Sequence, residues 1–344
     1  MLALAPFLIP LVAIALSLVL FGGFVGLAGA DVPAVYQSIY RGAFGTWFSW
    51  QNTLTSAAPL MLTALCTALP ARLGLIVIGG EGAVVVGGLA AALTGLVLID
   101  ANPWVALAGM ALAAMLTGGL LIGLVGWLRH SRNVNETISS LLFNYISIAI
   151  LSFLVIGPLR DPDTLNKPST YHIGDSHMLG ALGDTSIHWG FGYGLIVCLL
   201  LWVLYKRTVF GFAVDMVGGN VRAALLSGLP VGRIIFMVCM MGGAAAGLAG
   251  MVEVAAVHGR ANTSLNAGYG YEGILIAFAA RHHPLAIIPM AILFGGIRAS
   301  SGLVQRDHGL PDATSLVLQG LIFILILASE AVFARLARRQ GSAA

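Results

Sequence analysis

Residues 103–128 read PWVALAGMALAAMLTGGLLIGLVGWL, with no charged side chain anywhere in the stretch. A helix crossing the hydrocarbon core of a bilayer needs about 20 mostly apolar residues, so this segment alone is long enough to span one. The rest of the chain follows the same plan. Of its 344 residues, 58% are hydrophobic and 9% charged, and the mean hydropathy is +0.94, whereas a soluble domain carries roughly 25% charged residues. Division at charges, prolines and polar clusters gives apolar segments near 6–29, 51–70, 73–98, 103–128, 136–157, 187–205, 231–257, 269–281, 284–302 and 313–334. The expected fold is an all-α integral membrane protein of about ten transmembrane helices in a single domain over 1–344, with no room for a soluble catalytic domain.

Two segments depart from a plain span. Residues 6–29 end on Ala28-Gly29-Ala30, which resembles a signal-peptide cleavage site, but no Lys or Arg precedes them. The run also exceeds the roughly 7–15 residues of a signal core, so it reads as an uncleaved first span. Residues 269–281 are too short to cross alone, and Arg281-His282-His283-Pro284 follows them. With 284–302 they read as broken helices meeting inside the membrane.

Orientation follows from where Lys and Arg collect. Arg72, Arg129, Arg132, Lys206, Arg207, Arg222, Arg233, Arg335, Arg338 and Arg339 fall in connections of one parity, and these are expected to be cytoplasmic together with both termini. The opposite set carries Arg41, Arg160, Lys167 and Arg260, and its longest loop, 158–186, is acidic through Asp161, Asp163, Asp175 and Asp184. Trp47, Trp50, Trp104 and Trp189 lie at expected outer boundaries and Trp127 at an inner one, where interfacial aromatics belong. Because the seventeen Lys and Arg are scattered over loops, they give no footprint for a nucleic acid. Cys66, Cys198 and Cys239 lie in apolar runs and read as small hydrophobes.

Small residues recur every fourth position at Gly79, Ala83, Gly87, Ala91 and Gly95, and again at Gly242, Ala246 and Gly250. Such stripes let helix backbones approach closely in lipid; helix packing is the plain reading and a solute path lined by backbone the other. One tetrapeptide occurs twice, as Gly79-Gly80-Glu81-Gly82 and Gly270-Tyr271-Glu272-Gly273. A helical rise of about 1.5 Å per residue puts Glu81 roughly 12 Å beyond Arg72. An unpartnered charge at that depth costs about 2.5–3.5 kcal/mol. Glu81 is therefore expected to face protein or water, either lining a path or pinning a kinked helix to its neighbour. The repetition points to an internal repeat, about 51–157 and 231–334.

The connection 206–232 contains a short helix that Asn220 begins as N-cap and Gly228 and Pro230 stop. Docking on a partner and lying on the bilayer both suit it. His172, Asp175, His177, Asp184 and His188 fit no compact metal motif, and no metal or other cofactor is expected. His282-His283 reads as an interfacial break. The sequence holds no HExxH, GxSxG or P-loop.

These residues also resemble a family. Arg72-Leu73-Gly74-Leu75-Ile76-Val77-Ile78-Gly79-Gly80-Glu81-Gly82 is similar to the Arg-x-Gly-Leu-x-Asn-Ile-Gly-Gly-Glu-Gly pattern of permease subunits of nucleoside and simple-sugar ABC importers, with Val77 in place of Asn. Asn135-Glu136-Thr137-Ile138 and Phe143-Asn144-Tyr145-Ile146 resemble the family's Asn-Glu-Val-Ile and Leu-Asn-Tyr-Ile. Gly219-Asn220-Val221-Arg222-Ala223-Ala224 through Gly228 looks like its ATPase-coupling segment, Glu-Asn-Pro-x-Ala-Ala-x-x-x-Gly, with Gly219 for Glu and Val221 for Pro. Gly268-Tyr269-Gly270-Tyr271-Glu272-Gly273-Ile274 and Arg281-His282-His283-Pro284-Leu285 match Gly-Tyr-Gly-Phe-Asp-Gly-Ile and Arg-Asn-Asn-Pro-Leu, with two His for two Asn.

The resemblance implies the ABC importer permease fold and a transport subunit in the cell (inner) membrane without an ATPase site of its own. Its implied partners are a second, homologous and non-identical permease, a cytoplasmic ATP-binding subunit that hydrolyses ATP, an extracytoplasmic solute-binding protein and the lipid bilayer. The translocation pathway is expected at Gly80, Glu81, Gly82, Asn144, Tyr271, Glu272 and Gly273. The ATPase-coupling loop is expected at Gly219, Asn220, Arg222, Ala223, Ala224 and Gly228. The solute implied is a nucleoside or simple sugar, and the departures at Val77, His282 and His283 bear on that choice. Alternatives are a branched-chain amino-acid or other small-solute ABC permease, and an ion-coupled secondary transporter using Glu81, Glu253 and Glu272.

Overall fold

The computed structural model describes residues 5–164 and 167–341, with side chains over 12–164 and 167–329; the side chains of the basic tail residues Arg335, Arg338 and Arg339 lie outside the described residues. The described chain is almost wholly helical and contains only two isolated β-bridges. Seven helices are long and apolar enough to cross a membrane among the described residues, and shorter apolar helices accompany them.

All ten apolar segments read from the sequence are helical: α1 (Ala5–Leu27), α3 (Trp47–Ala71), α4 (Gly80–Val97), α5 (Pro103–Arg132), α6 (Glu136–Ile156), α7 (Trp189–Arg207), α10 (Val231–Val252), α11 (Tyr269–Ala279), α12 (Pro284–His308) and α13 (Ala313–Gly341). The sequence reading lacks α2 (Val32–Tyr40), a nine-residue helix with Pro in its first turn, and α8 (Val209–Gly219). It does contain α9 (Val221–Leu226).

The chain forms two compact units. The first joins residues 1–56 to residues 292–344. Within it α1 packs along α13, the Ser38 hydroxyl meets the His308 imidazole at 2.9 Å, and Gly42 lies so close to Ser300 that a Cβ there would stand 2.8 Å from its Cα.

The second unit, residues 57–291, is built on a seam of α4, α5 and α10. Gly87 abuts Gly247, Gly118 abuts Gly243 and Gly247, and Gly250 faces the Val84 carbonyl, where a Cβ would fall 2.0 Å from the oxygen. Backbone thus meets backbone, which supplies the dispersion contacts that hold helices together in lipid. Of the stripes read from the sequence, Gly87, Gly242 and Gly250 pack in this way, Gly79 and Gly95 pack mainly on side chains, and Gly118, Gly243 and Gly247 join the backbone seam. The π-turn Glu253–His258 extends α10, and its wide turn brings residues five apart together, with Glu253 Oε2 3.7 Å from His258 Nε2. The long connection after α6 is strapped over this end through Thr170, Ile173 and Leu179, whose amides donate to the carbonyls of Ala261, Gly259 and Ala255. Asp161 pairs with Arg260 at 3.6 Å.

One boundary differs from the sequence expectation. The span read as 73–98 begins only at Gly80, because residues 72–79 are a turn and an extended strand-like segment. Gly74, at φ +74°, stops α3 in the left-handed conformation, and the Leu75 amide turns back onto the Pro70 carbonyl. A depth for Glu81 counted by helical rise from Arg72 therefore does not apply.

Candidate functional site

An extended segment within a bundle of spans needs partners for every backbone amide and carbonyl. Helix α6 supplies them from one face. Glu136 accepts from the Ile76 amide at 3.5 Å, and the Thr137 hydroxyl donates to the Ile76 carbonyl at 2.9 Å. The Ser140 hydroxyl accepts from the Ile78 amide at 3.0 Å, and the Asn144 amide group donates to the Ile78 carbonyl at 2.9 Å. From the opposite side the Thr67 hydroxyl donates to the Val77 carbonyl at 3.2 Å. The stripe 136, 137, 140, 144 follows helical spacing, and alternate residues of the segment answer it. Its first residue is fixed twice more: Asn135 caps α6 by accepting from the amides of Thr137 and Ile138, and Arg129 pairs with Glu136 at 3.2 Å.

Asn144 continues the ladder into α4 by accepting from the Gly82 amide at 2.6 Å. One residue earlier, the fully buried Glu81 reaches across to α11. Its two carboxylate oxygens accept from the amides of Gly268 at 2.8 Å and Gly270 at 2.6 Å. A carboxylate on free amides at a helix N-terminus is favoured by charge-assisted hydrogen bonds and by the helix dipole. The two Gly-x-Glu-Gly motifs thus meet. Gly270 packs on the backbone of Gly80 and Glu81, Gly82 packs on Asn144, and Gly273 packs on Thr63 and Ala64.

The expected pathway residues Gly80, Glu81, Gly82, Asn144, Tyr271, Glu272 and Gly273 gather at this junction, and all but Tyr271 are buried. Tyr271 is 38% exposed, beside the Asn144 side chain and near Tyr145, which is 60% exposed. Sequence reasoning overlooked Glu136, Thr137 and Ser140 as a polar stripe, although their spacing on an apolar span is the signal that identifies it. Val77, where the family pattern has Asn, is fully buried.

The backbone at His282 is one that both His and the family's Asn accept. Arg281 and His282 close α11 with φ of +50° and +56°, a region that costs most side chains roughly 1–2 kcal/mol and that Asn and His enter most readily. The position selects for that conformation. His282→Asn should leave the melting temperature in detergent nearly unchanged. His282→Val, β-branched, should lower stability by about 1–2 kcal/mol.

The expected coupling loop forms a second site. Asn220 caps α9 by accepting from the amides of Arg222 and Ala223 at 3.0 and 3.1 Å, and Gly228 closes it at φ +78°. Gly219, Asn220, Arg222, Ala223 and Gly228 are exposed, but Ala224 is fully buried and fastens α9 to its own chain. The exposed apolar side chains of α9 are Leu226 at 91%, Leu225 at 55% and Val221 at 46%, with Val209 at 84% and Phe212 at 65% on the neighbouring α8. Of the histidines in the strap, His172 accepts the Gly174 amide and His177 donates to the Ile173 carbonyl. His188 caps α7 by accepting from the Gly190 amide at 3.1 Å. Burial pushes its imidazole down to about 4, so the cap is neutral at physiological pH.

A family model described as the permease component of the branched-chain amino acid transport system matches residues 49–327. The chain belongs to this permease family. Curated relatives of the permease include the glucose ABC transporter permease protein TsgB13 of Haloferax volcanii, 30% identical and covering 90% of this chain and 84% of the relative. The guanosine ABC transporter permease protein NupP of Bacillus subtilis is 27% identical over 96% and 95% of the two chains. NupQ of the same organism is 26% identical over 80% and 89%. The permease is therefore a multi-pass transport subunit of an ABC importer, not its ATPase.

Proposed function

We propose that this permease carries a nucleoside or simple sugar across the cell (inner) membrane, receiving it from an extracytoplasmic binding protein and driven by a cytoplasmic ATP-binding subunit that docks on α8 and α9. The observation that carries the reading is the exposed apolar surface of Leu225, Leu226, Val209 and Phe212 on a capped, glycine-bounded helix between two spans. A patch of this kind marks an interaction site. In this reading both termini and the basic connections lie in the cytoplasm. A second, homologous permease completes the path; the similar identities to NupP and NupQ, two guanosine permeases of one organism, support a non-identical pair. The meeting of the two Gly-x-Glu-Gly motifs supports an internal repeat. Tyr271, with Tyr145, is the surface of the junction offered to a solute, and both base rings and sugar faces stack on aromatic rings.

The test is Leu225→Asp with Leu226→Asp. Both side chains are exposed, so the variant should fold normally. Co-purification of the ATP-binding subunit and ATP-dependent uptake should fall by about tenfold or more, as for loss of interface anchors. Undiminished co-purification would instead make α9 a connector lying on the bilayer. Competition of labelled guanosine and glucose uptake by unlabelled nucleosides, sugars and leucine then assigns the solute.

A further inference from the structure

Arg72 lies one residue beyond α3, where the extended segment leading to Glu81 begins. Its Nη1 stands 3.7 Å from Asp215 Oδ1 on α8, and its guanidinium carbon lies 4.7 Å from the centre of the Tyr205 ring on α7. The Arg72 carbonyl presses on Gly218, where a Cβ would fall 2.0 Å from the oxygen. One residue thereby joins the ends of α3 and α7 to the middle and end of α8 by an ion pair, a cation–π contact and backbone contact. The side chain is largely enclosed, 19% exposed against 65% for Asp215.

Two chains of contact leave this point. Toward the docking surface, α8 ends at Gly219 and Asn220 caps α9 directly after it. Toward the junction, Gly74 turns the chain into the segment that α6 holds by its polar stripe, and that segment delivers Glu81 to the amides of Gly268 and Gly270. Between Arg72 and Gly80 the chain has no helix, but Ile76, Val77 and Ile78 are held by side chains of α6 and α3, which limits the slack a shift could be lost in. A displacement of α8 therefore reaches the base of the segment through Arg72.

We propose that Arg72, with Asp215 as its counter-ion, is the positioning residue that transmits movement of the docked α8–α9 segment to the Glu81 junction. The proposal rests on the docking reading above. It assigns Arg72 no contact with solute and none with the ATP-binding subunit.

The experiment uses the whole importer, reconstituted with its binding protein, in Arg72→Gln, Asp215→Asn and the exchanged pair Arg72→Asp with Asp215→Arg. All three should retain co-purification of the ATP-binding subunit and its basal ATP hydrolysis. In Arg72→Gln, hydrolysis stimulated by the binding protein and solute uptake should both fall about tenfold, within the usual range of coupling between sites. Asp215→Asn should fall in the same direction by less, and the exchanged pair should recover part of the loss. The exposed Asp215 provides a variant that folds even if Arg72→Gln does not. Uptake within about twofold of wild type in both single variants would overturn the proposal. So would loss of co-purification in them, because Arg72 would then shape the docking surface without transmitting through it. Intact co-purification in the Leu225, Leu226 double variant sinks the docking reading by itself, whatever Arg72 does.

Discussion

Gly270→Ala should abolish recovery of the folded permease. A Cβ at this position would lie 2.1 Å from the Glu81 amide nitrogen, 2.5 Å from its Cα and 2.6 Å from the Gly80 carbonyl carbon. All three are backbone atoms, so no side-chain rotation relieves the clash. The backbones of α4 and α11 must separate by more than an ångström, and the 2.6 Å bond from the Gly270 amide to Glu81 is lost with them. The expected cost is about 3 kcal/mol or more, the upper end of overpacking in a closed interior, because only backbone can yield. Yield of monodisperse protein in detergent and its melting temperature measure the effect. Gly302→Ala is the matched control: nothing lies within 4 Å of its Cβ position, so the change should be neutral or stabilising by up to about 1 kcal/mol. Equal recovery of the two variants would refute the close approach at Gly270.

Glu81→Gln should fail nearly as badly, for a chemical reason instead of a steric one. The carboxylate gives one oxygen to each of two amides, whereas a carboxamide has one acceptor oxygen and turns an NH2 group toward the second donor. The loss is one charge-assisted hydrogen bond plus an opposed donor pair, about 2–3 kcal/mol, and Glu81→Ala, which leaves both amides without that acceptor, should cost about 3–5 kcal/mol. The order Ala worse than Gln, both visible as lower melting temperatures before any transport assay, distinguishes anchorage from contact with solute. If Glu81→Gln melts like the wild type and loses only uptake, the carboxylate acts on the solute.

The ten apolar segments were legible because lipid demands long apolar runs, and seven of them are helices long enough to span among the described residues. The short helix α9 was legible because its signals are local: Asn220 at the start, and Gly228 and Pro230 at the end. The error at 73–79 arose because Leu73, Leu75, Ile76, Val77 and Ile78 are equally apolar in a helix or an extended segment. The signals against a helix lay partly in Gly74 and partly in the spacing of Glu136, Thr137, Ser140 and Asn144 on another span. The partner of Glu81 was out of reach of local pattern, since Gly268 is 187 residues away. The recurrence of Gly-x-Glu-Gly was visible, but that one motif caps the other's helix is a tertiary fact. The left-handed backbone at His282, which both Asn and His tolerate, was likewise not visible in the sequence.

The glycine seam of α4, α5 and α10 also limits how this subunit can change shape. Helices separated by long side chains can slide as rotamers readjust, but Gly87, Gly118, Gly243, Gly247 and Gly250 leave no such layer to shear. These three helices are locked along their lengths, and Gly270 of α11 and Gly218 of α8 extend the same backbone contact to single points at the margin of the seam. In this permease the tightest packing lies where side chains are smallest.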